Sequence, residues 1–147
     1  MIYYIDQSGK VEDTNKITII AYANGKVKSI KIGAGEKQKL VSVMRTLDNS
    51  KKTYIFKVFA GLIFLLLSSE RPERIEIDRE YPGHESTIKL ILIQLFSKHK
   101  RKLPEIGFME IGKQNEAHKT AISVFRKKMK PDIIAKAEEV LKVFYAK

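Results

Sequence analysis

The dipeptide Asn24-Gly25 separates two short runs of β-branched and aromatic residues, at residues 16–23 and 27–32. Both of its residues tolerate the positive φ angles of a two-residue hairpin turn, so this is a strong short-range hairpin signal. The two runs are therefore predicted to be neighbouring antiparallel strands. Bulky β-forming residues at the beginning of the chain predict another strand, which ends at Asp6 just before Ser8-Gly9 turns the chain. Three antiparallel strands are thus expected to begin the fold.

Helical periodicity replaces the β pattern after residue 35. Apolar residues spaced by three and four predict an amphipathic helix over residues 36–47. An unbroken apolar run at residues 58–67 predicts a second helix over about residues 53–69. A membrane span takes about 20 apolar residues, whereas charged residues flank this run too closely. It is therefore predicted to be a core helix.

The rest of the chain alternates between the two kinds of pattern. Strands are predicted at residues 74–78 and 105–112, and helices at 85–98, at 115–130 and from Pro131 to the end. The predicted order is β-β-β-α-α-β-α-β-α-α. Right-handed β-α-β connections would add the later strands in parallel. The expected class is α/β: one domain, residues 1–147, with a five-stranded mixed sheet flanked by helices.

Charge and cysteine content restrict the functions that this chain can have. There are 28 Lys and Arg residues against 17 Asp and Glu residues, a net charge of +11. Such a balance favours polyanionic partners such as nucleic acid, although a generally basic protein is the alternative. Cysteine is absent, which excludes thiolate catalysis and cysteine-ligated zinc. Carboxylates and imidazoles remain as metal ligands and favour a hard divalent cation.

The sequence also carries weaker signals about the environment of the protein. Its first residues form a strand pattern and lack the basic and apolar regions of a signal peptide, so a cytoplasmic location without membrane association is predicted. Abundant Lys, Ile and Glu without Cys or Trp is typical of a thermophilic source. Whether the chain acts alone or as a homodimer stays open.

Three polar residues are predicted to lie at the ends of elements. Asp6 ends the first strand, Asp78 ends the fourth, and His118 lies in the first turn of the helix after the fifth. His118 lies on the same stripe of this helix as Ile122, Phe125 and Met129, which predicts that its ring points inward. Each residue also has a plain structural alternative, because Asp favours turns and a histidine there can cap its helix or lie in the core.

This element order and these three positions resemble the ribonuclease H-like fold, which also forms the catalytic cores of Argonaute proteins, Holliday-junction resolvases and the excision-repair nuclease domain. The resemblance covers nearly the whole chain. It implies that Asp6, Asp78 and His118 are catalytic metal ligands of the Asp-Asp-His type. The segment from Asn115 to His118 is similar to the Asn-Glu-x-x-Asp motif of ribonuclease H, with histidine replacing the last acid. Glu36 and Glu85 are the candidates for an auxiliary acid.

The resemblance further implies phosphodiester hydrolysis with Mg²⁺ or Mn²⁺. Asp6 would bridge two ions, Asp78 would hold one, and His118 or a nearby acid, Glu116, would hold the other. Glu110 is a further alternative to His118. Basic residues expected to contact a DNA, RNA or hybrid substrate are Lys98, Lys100, Arg101, Lys102, Lys113 and Lys119.

The sequence favours a metal-dependent nuclease acting on structured or duplex nucleic acid. A non-catalytic nucleic-acid-binding or assembly module with the same fold is the alternative. A metal-dependent hydrolase of small phosphorylated molecules fits the basic charge less well. No Walker-type loop or nucleophile elbow is present, which argues against P-loop nucleotide hydrolysis and serine hydrolysis.

Overall fold

Six strands form one mixed sheet in the computed structural model, which describes residues 1–48 and 53–146. They are β1 (Ile2–Ser8), β2 (Thr18–Ala23), β3 (Val27–Ile32), β4 (Arg74–Asp78), β5 (Glu105–Met109) and β6 (Ile133–Ala135). Their order across the sheet is β5-β4-β1-β2-β3-β6. The first three strands pair antiparallel, as the hairpin signal predicts. The other three pairings, β1 with β4, β4 with β5 and β3 with β6, are parallel.

Five helices in the described ranges cover the two faces of this sheet unequally. They are α1 (Ala34–Asp48), α2 (Thr53–Leu66), α3 (Glu85–Lys98), α4 (Glu116–Phe125) and α5 (Ala137–Tyr145). Helices α1, α2, α3 and α5 share one large apolar core with the strands. Helix α4 packs alone on the opposite face, over a small cluster made by Ile19, Ala21, Ala121 and Val124. The general α/β class with a mixed sheet is therefore confirmed.

Helix α2 is the centre of the large core. Ten of its residues are buried, among them Phe59, Leu62 and Ile63. Its apolar run is therefore a core helix, as predicted. Within residues 1–48 and 53–146, every helix is too short or too polar to cross a membrane.

The alternation of side chains along β1 decides which residues face α4. Tyr3 and Ile5 belong to the large core, so Tyr4 and Asp6 project from the other face. Strand β1 lies between antiparallel β2 and parallel β4, and Ile5 is in register with Ile77. Asp6 and Asp78 each follow one of these paired residues, so they lie at the same edge of the sheet.

The prediction of five strands and of a helix starting at Pro131 is wrong, because residues Ile133–Ala135 form a sixth strand beside β3. Asp132 explains this pairing. Its backbone N–H donates to the Ser29 carbonyl at 3.1 Å, and its carboxylate accepts from the Ser29 N–H at 2.9 Å. Both backbone polar groups of Ser29 thus hold the chain in an extended conformation, and the last helix begins only at Ala137.

Helix α4 is shorter than predicted and buries a different stripe. It ends at Phe125 rather than near residue 130, and Met129 is exposed. Its buried residues are Ala117, Thr120, Ala121 and Val124, whereas His118, Ile122 and Phe125 lie half-buried along its flank. Small side chains face the sheet because α4 packs closely over Ala21.

Gly9 is required where β1 ends and α4 passes over it. Its φ is +80°, and an added Cβ would overlap the Ile17 carbonyl oxygen and lie 2.7 Å from the Phe125 ring. Gly25 has a similar φ of +96° but no atom within 4 Å of an added Cβ. Alanine substitutions at the two positions therefore distinguish the cost of a positive φ angle from the cost of steric overlap.

We expect Gly9→Ala to destabilise the protein by about 2–5 kcal/mol, since it adds overpacking to the cost of a positive φ. Gly25→Ala should cost only about 1–2 kcal/mol, the backbone term alone. Urea unfolding of the two variants beside the wild type measures both values. Equal losses of stability in the two variants would show that the close contact of α4 with Gly9 adds little to the cost of the Gly9→Ala substitution.

Candidate metal centre

Three carboxylates meet at the edge of the sheet where β1 and β4 end. Asp6, Asp78 and Glu80 each offer one oxygen, and these oxygens lie within 4.8 Å of one another. Oxygens on opposite sides of an octahedral Mg²⁺ ion are separated by roughly 4 Å, twice the usual bond length. The three side chains therefore have a spacing that a single divalent cation can bridge.

Backbone groups fix the two aspartates. The Gln7 N–H donates to Asp6 Oδ1 at 2.8 Å, and the Ile111 N–H donates to Asp78 Oδ1 at 2.8 Å. Glu80 is brought back toward Asp78 by a tight turn, in which the Glu80 N–H donates to the Asp78 carbonyl at 2.8 Å. Main-chain contacts thus orient the acidic cluster.

Burial and mutual repulsion raise the pKa values of two of these acids. The side chain of Asp6 is only 2% exposed, and its burial, followed by the charge of Asp78, raises its pKa. Burial and then a hydrogen bond with Asp78 raise the pKa of Glu80 to about 7. The charge of the exposed Lys10 offsets this shift only in part. A bound cation would relieve the same repulsion, so the electrostatics favour cation binding.

His118 contacts the cluster through Asp6. Its Nδ1 lies 2.9 Å from Asp6 Oδ2, so the ring donates to a carboxylate whose other oxygen already accepts from Gln7. The Asn115 side chain caps α4 by accepting from the Ala117 N–H at 2.9 Å, and this places His118 in the first turn. The structure therefore brings Asp6, Asp78 and His118 together.

The other candidate acids are not members of this cluster. Glu116 is exposed and pairs with Lys119 at 3.5 Å. Glu36 accepts from the Ala137 N–H at 3.1 Å and also pairs with Lys39. Glu85 accepts from the Gly83 N–H at 3.0 Å. Glu110 follows β5 and is exposed. None of these four belongs to the group of carboxylates around Asp6.

The basic run at residues 98–102 lies at the opposite edge of the sheet. It precedes Glu105, which pairs with Arg74 at the beginning of β4, whereas Asp78 is at its end, roughly 13 Å away along the strand. Lys98 donates to the Phe144 carbonyl. Arg101 donates to the carbonyl oxygens of Leu67 and Glu70, at 2.7 and 2.6 Å. Lys98 and Arg101 thus connect elements of the fold.

The remaining basic candidates fall into two groups. Lys100 and Lys102 line a surface cavity of about 450 Å³ and lie, like the rest of this basic run, far from the acidic cluster. Lys113 lies in the loop before α4, and Lys119 lies in the helix one residue after His118. Lys113 and Lys119 are therefore on the same side of the fold as the acidic cluster.

Sequence reasoning missed Glu80. The available signal was the pair of acids in Asp78-Arg79-Glu80, directly after a predicted strand. Acids at i and i+2 point to the same side of an extended chain, but β4 ends at Asp78, so the alternation of the strand does not determine where Glu80 points. The turn at Asp78, which the sequence does not specify, is what brings Glu80 into the site.

Lys37 is a second missed residue, and it shapes the loop beside the site. Its side chain is fully buried, and its ammonium donates to the carbonyl oxygens of Lys10 and Asp13 and to Thr18 Oγ1, at 3.1, 2.7 and 3.0 Å. Burial lowers its pKa to about 8. Lys37 thus fixes the loop that carries Lys10, and its place in a helical pattern gave no indication of this role.

No family model matches the chain, and no curated protein matches it closely enough to be called a relative. A functional assignment therefore depends on the acidic cluster, on His118 and on the charge of the surrounding surface.

In the metal-free protein, Glu80→Gln should change how stability depends on pH. The pKa of Glu80 is raised from 4.5 to about 7 on folding, so the folded state holds a proton that the unfolded state releases between these values. Wild-type stability should therefore fall as pH rises through this window. The variant cannot lose stability in this way. We therefore expect its free energy of unfolding to equal that of the wild type near about pH 4 and to exceed it near about pH 8.

Urea unfolding in the presence of a chelator measures this difference. Glu138→Gln, which changes an exposed glutamate in α5, is the matched control and should run parallel to the wild type. A parallel curve for Glu80→Gln as well would contradict the electrostatic description of the cluster.

Proposed function

We propose that this protein is a metal-dependent nuclease that hydrolyses phosphodiester bonds in nucleic acid. The observation that carries the proposal is the cluster of Asp6, Asp78 and Glu80, whose oxygens lie within 4.8 Å of one another in a chain of net charge +11. Anionic side chains concentrated in one place need a cation, and the positive charge elsewhere favours a polyanionic substrate. A cytoplasmic location is part of this proposal.

The ribonuclease H-like fold is also part of this proposal. Strand β1 lies between the antiparallel pair β2-β3 and the parallel pair β4-β5, with Asp6 two residues before the end of β1 and Asp78 at the end of β4. This arrangement is similar to that of the ribonuclease H-like fold, with α4 supplying His118. Strand β6 extends the sheet beyond β3 and does not disturb the order around the site.

The residues of the site fit Mg²⁺ or Mn²⁺, because both ions bind carboxylate oxygens. Burial is the main cause of the raised pKa values of Asp6 and Glu80, and the negative charge of Asp78 raises them further; a cation would remove this repulsion. When bound, such ions supply charge stabilisation and lower the pKa of a water nucleophile. Asp6, Asp78 and Glu80 would hold them. His118 fixes the Asp6 carboxylate through its Nδ1 and would hold a further ion through its other ring nitrogen.

The substrate side of the proposal uses basic residues near the cluster. Lys10 lies close enough to affect the pKa of Glu80 and is held in place by the contact of its carbonyl with Lys37. Lys113 and Lys119 flank the beginning of α4. These three residues would neutralise phosphates, and DNA, RNA and hybrid substrates all present the same phosphates to them.

Cleavage should require a divalent metal and all three carboxylates. A panel of labelled single strands, duplexes, hybrids and branched junctions, incubated with Mg²⁺, with Mn²⁺ or with chelator, tests this. We expect Asp6→Asn, Asp78→Asn and Glu80→Gln each to slow cutting at least about a hundredfold, because charge stabilisation by metals contributes several kcal/mol. Glu138→Gln is the matched control and should cut normally.

Binding should separate from cutting in the same experiment. Asp6→Asn removes a negative charge and should bind nucleic acid as tightly as the wild type or more tightly. A wild-type protein that binds the panel but cuts no member of it in either metal would contradict the nuclease. That result would support the alternative of a non-catalytic nucleic-acid-binding module.

His118 should influence which metal supports cutting. Imidazole suits Mn²⁺ better than Mg²⁺, so the wild type should cut at least as fast with Mn²⁺. We expect His118→Ala to lose about tenfold or more in either metal, and His118→Asp to retain activity with a shift toward Mg²⁺. Rates for the three proteins in each metal check this. Normal cutting by His118→Ala would show that His118 only packs against Asp6.

A further inference from the structure

Among the described residues, Tyr4 is the tyrosine whose side chain has no hydrogen bond or ring contact. All six tyrosines lie in the described residues, and each of the other five has a hydrogen bond or a ring contact: Tyr3, Tyr22, Tyr54, Tyr81 and Tyr145. No hydrogen bond, ion pair or aromatic contact within residues 1–48 and 53–146 engages Tyr4, which is half-buried. Its ring is therefore available to a ligand.

Tyr4 is also close to the acidic cluster. It lies two residues before Asp6 in β1, so both side chains project from the face of the sheet that α4 partly covers. Two residues of a strand span about 7 Å. A group bound against Tyr4 would thus lie next to a group bound at the carboxylates.

An open cavity of about 500 Å³ lies against Tyr4. Its size falls within the usual range for small-molecule sites. The cavity runs between the β2–β3 hairpin and the beginning of α4, and its lining includes Gly25, Lys26, Val27, Asn115 and Glu116. It is therefore bounded by a turn, an aromatic ring and the beginning of a helix.

The polar groups of this cavity favour a base with a phosphate nearby. Lys26 is exposed at the hairpin, and its ammonium has no acidic partner among the described residues. The oxygen of the Asn115 side chain caps α4, which leaves its NH₂ group to donate elsewhere. The charge of Glu116 is balanced by Lys119. An aromatic face, an amide donor and an unpaired cation are the chemistry that binds a nucleotide.

We infer that this cavity is a subsite for one unpaired base of a nucleic-acid strand, which stacks on Tyr4 while Lys26 neutralises an adjacent phosphate. The inference rests on the proposed function, since the same strand would continue to the acidic cluster. A base stacked on a protein ring has left its own stack, so the subsite selects single-stranded or unpaired nucleotides over a continuous duplex.

Binding in the presence of a chelator tests the subsite without any cutting. The wild type should bind a short single strand more tightly than a blunt duplex of the same sequence. Tyr4→Ala should weaken single-strand binding about tenfold, whereas Tyr4→Phe, which keeps the ring, should stay within about twofold of the wild type. Lys26→Ala should weaken binding and flatten its salt dependence more than Lys142→Ala, the matched control on α5.

A second measurement covers the case in which Tyr4→Ala fails to fold. Ring resonances of Tyr4 in the wild-type protein should shift when a nucleoside 5′-monophosphate is added, and those of Tyr145, which is bonded to Asp48, should not. Tyr4→Ala binding as tightly as the wild type, or no shift at Tyr4, would overturn the subsite. Tyr4-dependent binding without cutting in either metal would instead overturn the nuclease and leave the subsite standing.

Discussion

The parallel pairing of β1 with β4 is the constraint on which the site depends. It places the ends of two strands that are distant in sequence beside each other, with Ile5 in register with Ile77. The pairing is maintained by the large core on one face, where both isoleucines are fully buried. Alternation then sends Asp6 to the other face, and the end of β4 supplies Asp78. Core packing thus determines the position of both carboxylates.

Placing several acids at this edge of the sheet destabilises the folded protein electrostatically. Asp6 is buried and Glu80 has a raised pKa, yet only backbone N–H groups and His118 stabilise the pair of aspartates. Lys10 is the basic residue that acts on Glu80, and the buried Lys37 fixes its loop. A site that is electrostatically unfavourable when empty is what a cation-binding function requires.

The helices cover the two faces of the sheet unequally. Four helices pack on one face over the large core, while α4 packs alone on the other face and leaves Tyr4 beside an open cavity. The small residues Ala117 and Ala121 let α4 lie close to the sheet. That close packing brings the flank of α4, and with it His118, to Asp6.

Local chemistry in the sequence determined the hairpin at Asn24-Gly25, the core helix α2 and the Asn115 cap, because each depends on residues near in the chain. The acids Asp6 and Asp78 were also recognisable from the strand patterns that carry them, although the prediction that Asp6 ends its strand is wrong, because β1 continues to Ser8 whereas β4 does end at Asp78. Only the tertiary structure decided the turn that adds Glu80, the sixth strand held by Asp132 and Ser29, and the distance of residues 98–102 from the site. The sixth strand and the position of residues 98–102 depend on hydrogen bonds and register between segments far apart in the chain. The turn itself is local, but its Arg79 N–H donates to the Met109 carbonyl at 3.1 Å, so a distant strand holds it in place. No local pattern encodes these contacts.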